Sequence, residues 1–339
     1  MQNLIDNKGQ VTLGLFNTPP TVINHQDFDL RNNMDKPITG LKKKMGYNQF
    51  QFIGLTGSDF ILGVAIVNLK WVSKCFLYVY EPATKNFKEY SWLKPFALST
   101  QTSNQPNAGS WHFKSGKNTI EISSHEGQRD LKINLGQDLN VDVSINEKTS
   151  EMGGQYQPLA VCCRAGYNGW VFTQKATALA FDGNIKWQGR NIQTETLLAS
   201  VDWSCGYMRR ETFWHWASLS HKTRDGTKVG FNLAAGVNET SYTENGLWIN
   251  DELIKLDRAE FIFNRQARLN RWQVKSSDGH INLTFEPDGE RKEKINAGFI
   301  ASNFTQLFGR FYGEVKDKNG KVITIDGATG FCEDHFAKW

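Results

Sequence analysis

The dominant period along the chain is two. In "NTIEISSHEG" (118–127), "DLKINLG" (130–136) and "LNVDVSIN" (139–146) apolar and polar residues alternate, and each run is bounded by Gly, Asn or Asp. That alternation puts every second side chain on one face, the mark of a half-buried strand. "NQFQFIGLTG" (48–57) places Phe50 and Phe52 together on one face. "DFILGVAIVNL" (59–69) is apolar on both faces and predicts a strand buried on both sides, with "KCFLYVYEP" (74–82) following after a turn. Residues 169–187 read as two strands, and further strands are expected in 228–236, 259–265, 271–287 and 309–327. Asp278-Gly279 and Asn319-Gly320 are hairpin signals. Helix is scarce; the best candidate is "QTETLLASVD" (193–202), with Thr194 as a cap. Many strands separated by turns about 8–12 residues apart predict an all-β protein of two antiparallel barrel or sandwich domains. The weak boundary signal near 184–192 divides the chain into residues 1–185 and 186–339.

The run "ETFWHWASLS" (211–220) sharpens this picture. In a strand, Thr212, Trp214 and Trp216 share one face, and Phe213, His215 and Ala217 the other. Large rings on both faces mean a strand buried on both sides, or one that packs one face and lines a pocket with the other. Trp214 and Trp216 are therefore candidate walls of a site for a hydrophobic ligand, where an indole face can also stabilise a cation; plain core packing is the alternative. Asn232, set among apolar residues in "VGFNLAAG", needs a partner, either a ligand or another side chain. Asp202 is a candidate buried acid, or else a cap closing onto the Ser204 and Gly206 amides. Glu244 and Asn245 in "TENG" read as site residues or as an ordinary turn. Of Glu333, Asp334 and His335, the first and last share a strand face, opposite Asp334. His215 reads as a satisfied core histidine. Lys175 is a further residue within reach of a site at the domain junction.

Composition narrows the chemistry. Hydrophobic content of 39% and charged content of 22% describe a globular chain, and 11 Trp with 22 Phe suit aromatic sheet faces or a large cavity. A net charge of +4 is too weak to argue for nucleic acid, and "KPITGLKKKMG" (36–46) and "ERKEK" (290–294) read as solvated loops. No phosphate-binding loop, dinucleotide fingerprint, serine-hydrolase elbow or zinc-protease motif is present, and the seven histidines show no metal-ligand spacing. Neither a cofactor nor a metal is expected. Five cysteines, Cys162 and Cys163 adjacent and none in a C-x-x-C, predict reduced thiols. The opening "MQNLIDNKGQ" is unlike a secretory leader, and the longest apolar run (60–69) is half a membrane helix, so a cytoplasmic protein without stable membrane insertion is expected.

Residues 201–256 resemble the core of the bacterial DUF2804 family. The resemblance is carried by Asp202-Trp203 with Gly206, Trp-x-Trp-Ala at 214–217, "GFNLAAG" and "TEN" (243–245). It continues in "QLFGRFYG" (306–313) and the closing "GFCEDHFAKW" (330–339), with weaker echoes in 41–54 and 163–176. The resemblance implies a fold similar to the two-domain lipocalin-like (calycin-type) proteins, among them carotenoid 1,2-hydratase, tocopherol cyclase and a sphingolipid carrier. It implies no particular reaction.

Three functions follow as expectations. The first is a cofactor-independent, acid-catalysed hydratase, dehydratase or cyclase of a small isoprenoid- or lipid-like molecule. Asp202 and Glu333 are its candidate acids, Trp214 and Trp216 its walls, and Asn232, Glu244, Asn245 and His335 further ligand contacts. The second is a non-catalytic lipid carrier, which needs the pocket but no acid. The third is a carbohydrate-active protein using Glu244 and Glu333 as a carboxylate pair.

Overall fold

A computed structural model describes residues 3–148, 156–237, 242–298 and 300–338. The chain is nearly all β, built as three antiparallel sheets. The first has eight strands in the order Gly14–Phe16, Leu159–Ala165, Gly169–Leu179, Leu198–Tyr207, Asn48–Thr56, Ile61–Asn68, Val72–Glu81 and Asn86–Pro95. The second has seven strands drawn from residues 100–146 and 181–192. The third has nine strands between Glu211 and Lys338. In it the last strand, Val322–Lys338, pairs with the first, Glu211–Lys222, which curls the sheet into a half-barrel. The half-barrel stays open between its edge strands Glu252–Lys255 and Ala259–Ile262, neighbours in sequence that sit at opposite ends of the strand order.

The first sheet is covered on both faces, and this explains the run that is apolar on both parities. Leu62, Val64 and Ile66 face the second sheet, where Trp111, Ile122, Leu131 and Val143 complete the core. Ile61 and Ala65 face the other way, into a cluster with Phe52, Tyr78, Trp216, Phe308 and Phe331 that joins the first sheet to the third. The third sheet divides its residues by the same rule: Ala217, Leu219 and Cys332 enter its own core, while Trp216 and Phe331 meet the first sheet. The approach is close. A Cβ on Gly230 would lie 2.2 Å from Thr177 Oγ1 across the junction, so only glycine fits there.

The hairpins at Asp278-Gly279 and Asn319-Gly320 form as expected, joining Trp272–Ser276 to Ile281–Asn296 and Ala301–Lys316 to Val322–Lys338. The helix expected over 193–202 does not form. Thr194–Thr196 makes one 3-10 turn without a side-chain cap, and Leu198 begins a strand. Ala199, Val201, Trp203 and Cys205 of that strand all point into the core, so sheet pairing overrides the local helical pattern. This strand also fixes where the chain changes sheets. Phe181–Trp187 and Arg190–Ile192 pair within the second sheet and Leu198–Tyr207 within the first, and the passage to the third comes between Tyr207 and Glu211.

Candidate active site

Strand register assembles the first group of residues. Trp216 lies opposite Glu333 and Trp214 opposite His335, while Gln306 on the next strand also faces Glu333. The Trp214 indole N–H donates to Glu333 Oε2 at 3.1 Å, and Gln306 Nε2 donates to Oε1 at 2.7 Å. Glu333 is buried at the junction of the first and third sheets. Burial pushes its carboxyl up to about 7, aided by the negative charge of Asp202 and opposed by the Trp214 and Gln306 hydrogen bonds and by Arg291. The group therefore sits near the midpoint of its titration at neutral pH. The His335 ring packs edge-on to Trp214 at 4.1 Å and meets Ser302 Oγ through Nε2 at 3.2 Å. Burial, with Lys74 and Arg291 nearby, lowers its pKa to about 3, so the imidazole is neutral.

Arg291 anchors the far side of this group. Its guanidinium lies 4.3 Å from the Phe76 ring centre and 4.7 Å from that of Phe304, and it donates to Glu89 at 2.7 Å. Here the reading of 290–294 as a solvated loop needs correction. The segment is strand, so alternation sends Lys292 and Lys294 to solvent and buries Arg291 at the sheet junction.

A second group is centred on Lys175. Its Nζ lies 2.5 Å from Asp202 Oδ2, directly opposite in the register, and 3.1 Å from Glu244 Oε2. Ser204 Oγ donates to Asp202 Oδ1 at 3.0 Å and lies 2.6 Å from Thr173 Oγ1. Burial works against the Lys175 ammonium, but the two carboxylates outweigh it and raise its pKa above the usual lysine range. Burial also raises the pKa of Glu244, with the Asp202 charge adding and Lys175 opposing. Asp202 is thus an ion-paired residue within a strand, and it caps no turn.

The other sequence candidates connect these groups or support them. Trp216 Nε1 donates to Asn232 Oδ1 at 2.9 Å, and Asn232 Nδ2 donates to the Glu244 carbonyl at 2.7 Å. Asn245 accepts from the Ala234 N–H and donates to the Asp257 carbonyl, each at 2.7 Å, and so shapes the loop that carries Glu244. Trp216 is sealed, stacked on Phe331 and edge-on to Phe52, so it belongs to the packing of the junction. Trp214, Phe50 and Phe76 are only half-buried, and the Asp202 side chain keeps 16% of its surface. These residues form the part of the junction that solvent reaches. A cavity of about 10 Å³, room for one water, adjoins Glu244, Thr173, Cys163 and Ala234; neither tryptophan lines it. His215 pairs with Asp334 on the opposite face, where Arg268 also holds that carboxylate.

Sequence reasoning missed Gln306, Arg291, Thr173 and the hydroxyl of Ser204. The available signal was a polar residue at a core-parity position: Gln306 lies in "QLFGRFYG" beside Phe304 and Phe308, whose parity it shares.

Asp202, Lys175 and Glu244 on one side, and Glu333, Gln306 and Trp214 on the other, form a carboxylate-rich junction between two sheets. Comparison with known proteins adds the fold context. The sequence matches no curated protein. Among solved structures it is similar to CghA crystallised with Sch210972, at a TM-score of 0.53 and 8% identity over 96% of this chain and 97% of that one. The structure of CghA alone matches at 0.51 and 7% identity, over 99% and 97%. Kievitone hydratase from Nectria haematococca matches at 0.47 and 12% identity, over 85% and 88%. The motifs of residues 201–256 and 306–339 agree with the family comparison: residues 1–339 match the model of Domain of unknown function (DUF2804), and the chain belongs to that family.

Proposed function

We propose that the junction between the first and third sheets binds a small apolar, isoprenoid- or lipid-like molecule and performs cofactor-independent acid chemistry on it: hydration, dehydration or cyclisation. The observation that carries this reading is Glu333, a carboxyl whose pKa of about 7 lets it hold and release a proton at neutral pH, set among aromatic rings. Protonated Glu333 delivers its proton to an alkene carbon or to a departing hydroxyl oxygen. The cation so formed faces the Trp214 indole, and the carboxylate left behind keeps its donors from Trp214 and Gln306. Asp202 is engaged by Lys175 and Ser204, which leaves Glu333 as the acid of this reading. The fold is shared with CghA, crystallised with Sch210972, which supports reading the architecture as one that takes a bound molecule.

Two measurements test this. Trp fluorescence titrated with geranylgeraniol and with palmitate should show binding that Trp214→Ala weakens by about 1–3 kcal/mol through lost apolar contact. For any molecule that is turned over, the rate should fall as pH rises through about 7, because the proton-bearing form of Glu333 is lost. Turnover unaffected by Glu333→Gln would remove Glu333 as the acid, and binding without any turnover by the parent would leave the carrier reading.

A further inference from the structure

One end of the first sheet leaves large apolar side chains in solvent. The turn joining Ile61–Asn68 to Val72–Glu81 exposes Trp71, and the turn after Asn86–Pro95 exposes Phe96 and Leu98; these residues are 59, 61 and 79% exposed. They form one patch, because the Trp71 and Phe96 rings lie 6.3 Å apart and the Phe96 N–H donates to the Trp71 carbonyl at 2.8 Å. Leu93, on the preceding strand, is also exposed. Isolated exposed hydrophobes are ordinary, but a joined pair of rings flanked by two leucines marks an interaction surface.

The segments of the first and second sheets at this end carry lysines and no carboxylate, and Glu293 of the third sheet, which reaches Lys74 opposite Leu93, is paired with that lysine. The helix Gly40–Met45 reaches the same end because it leads into Asn48–Thr56, where Gln49 pairs with Asn68 beside the Trp71 turn. It exposes Leu41, Lys42 and Lys44, so 36–46 is more than a solvated loop. On the other flank the Lys114 N–H donates to the Ser99 carbonyl at 3.1 Å, which brings exposed Lys114 and Lys117 beside Leu98. None of residues 36–58, 60–80 or 90–120 is Asp or Glu. Protruding Trp, Phe and Leu ringed by lysines match the interface of a bilayer, where rings settle at headgroup depth and ammonium groups meet anionic lipid.

We propose that this end of the protein docks on the surface of an anionic lipid bilayer. The docking stands by itself; that it serves to load an apolar ligand rests on the function proposed above. The strand Val72–Glu81 runs from the patch into the junction, where Phe76, Tyr78 and Tyr80 face the third sheet. At about 3.3 Å per residue, Phe76 lies some 17 Å from Trp71. Phe76 is among the half-buried rings that solvent reaches at the junction, so the patch and the edge of the junction lie along one strand.

Co-sedimentation of the full chain with vesicles tests the docking without ligand or turnover. The protein should pellet with phosphatidylcholine–phosphatidylserine vesicles about tenfold more tightly than with phosphatidylcholine alone, and should be released by high salt. Trp71→Ser/Phe96→Ser and Lys42→Gln/Lys44→Gln/Lys114→Gln should each weaken binding about tenfold or more. All five positions are exposed, and circular dichroism of each variant checks that the fold persists. Equal binding to neutral vesicles, or none to either, overturns the proposal. So does a concentration-dependent dimer that Trp71→Ser/Phe96→Ser abolishes, since the patch would then be a contact between copies. Failure here leaves the titration of Glu333 untouched, and failure of that titration leaves vesicle binding untouched.

Discussion

Replacing Glu333 by Gln probes the buried acid through stability. The carboxyl titrates at about 7 in the folded protein against an ordinary value of 4.5. Between those values the folded state keeps a proton that the unfolded chain has released, so rising pH favours unfolding across the interval. The stabilisation is whole below pH 4.5, falls as pH climbs to about 7 and is constant above that. At about 1.4 kcal/mol per pH unit, the gap corresponds to about 3 kcal/mol. Gln is neutral throughout and close in shape, so the variant escapes this loss. Any difference in fit gives a constant offset between the two proteins; the pH-dependent part belongs to Glu333. Urea unfolding at steps from pH 5 to pH 8 yields midpoint and slope for each. The lowered pKa of His335 acts in the opposite sense, its contribution being lost as pH falls below 6.5, and it is present in both proteins. The variant should gain on the parent by most of about 3 kcal/mol between pH 5 and 8. A difference that stays flat within about 0.5 kcal/mol would refute the raised carboxyl and with it the general acid.

The ion triad and the thiols give two further tests. Lys175→Met leaves Asp202 and Glu244 buried without their counter-ion and should cost about 3–5 kcal/mol in urea unfolding. Adding Asp202→Asn and Glu244→Gln should restore most of it; a single-variant loss under about 1 kcal/mol would show the pair to be solvated. All five cysteines are buried and no disulfide joins them among the described residues. Burial pushes the thiols of Cys75, Cys162 and Cys332 up, and that of Cys205 up to about 12. A thiol reagent at pH 8 should therefore react slowly with the native protein and find five thiols after denaturation without reductant. Fewer than five would contradict the reduced state.

Parity was the most informative feature of the sequence. It identified Trp214 and Trp216 as sharing a face, and Glu333 and His335 as sharing another, and the register sets these pairs side by side on adjacent strands. Parity could not say what each face meets. Trp214 and Trp216 have the same pattern, yet one is half-buried beside Glu333 and the other is sealed between Phe331 and Phe52. The Lys175–Asp202–Glu244 triad was less legible, because two members lie on paired strands of the first sheet, the third is in the loop before Gly246–Ile249, and all are widely spaced in sequence. Leu198–Tyr207 misled in a different way: a locally helical composition was overruled by core positions on two neighbouring strands.

What the sequence determined by itself is the all-β class, the strand faces, the hairpin turns and the family, because alternation, Asp-Gly and Asn-Gly pairs and short motifs are local properties of the chain. What only the tertiary structure decided is the protonation chemistry and the sheet boundaries. Glu333 titrates near 7 because a second sheet removes water from it, and Lys175 stays charged because two carboxylates from distant segments reach it. Desolvation and charge pairing act through space, between residues whose separation along the chain carries no trace of their contact.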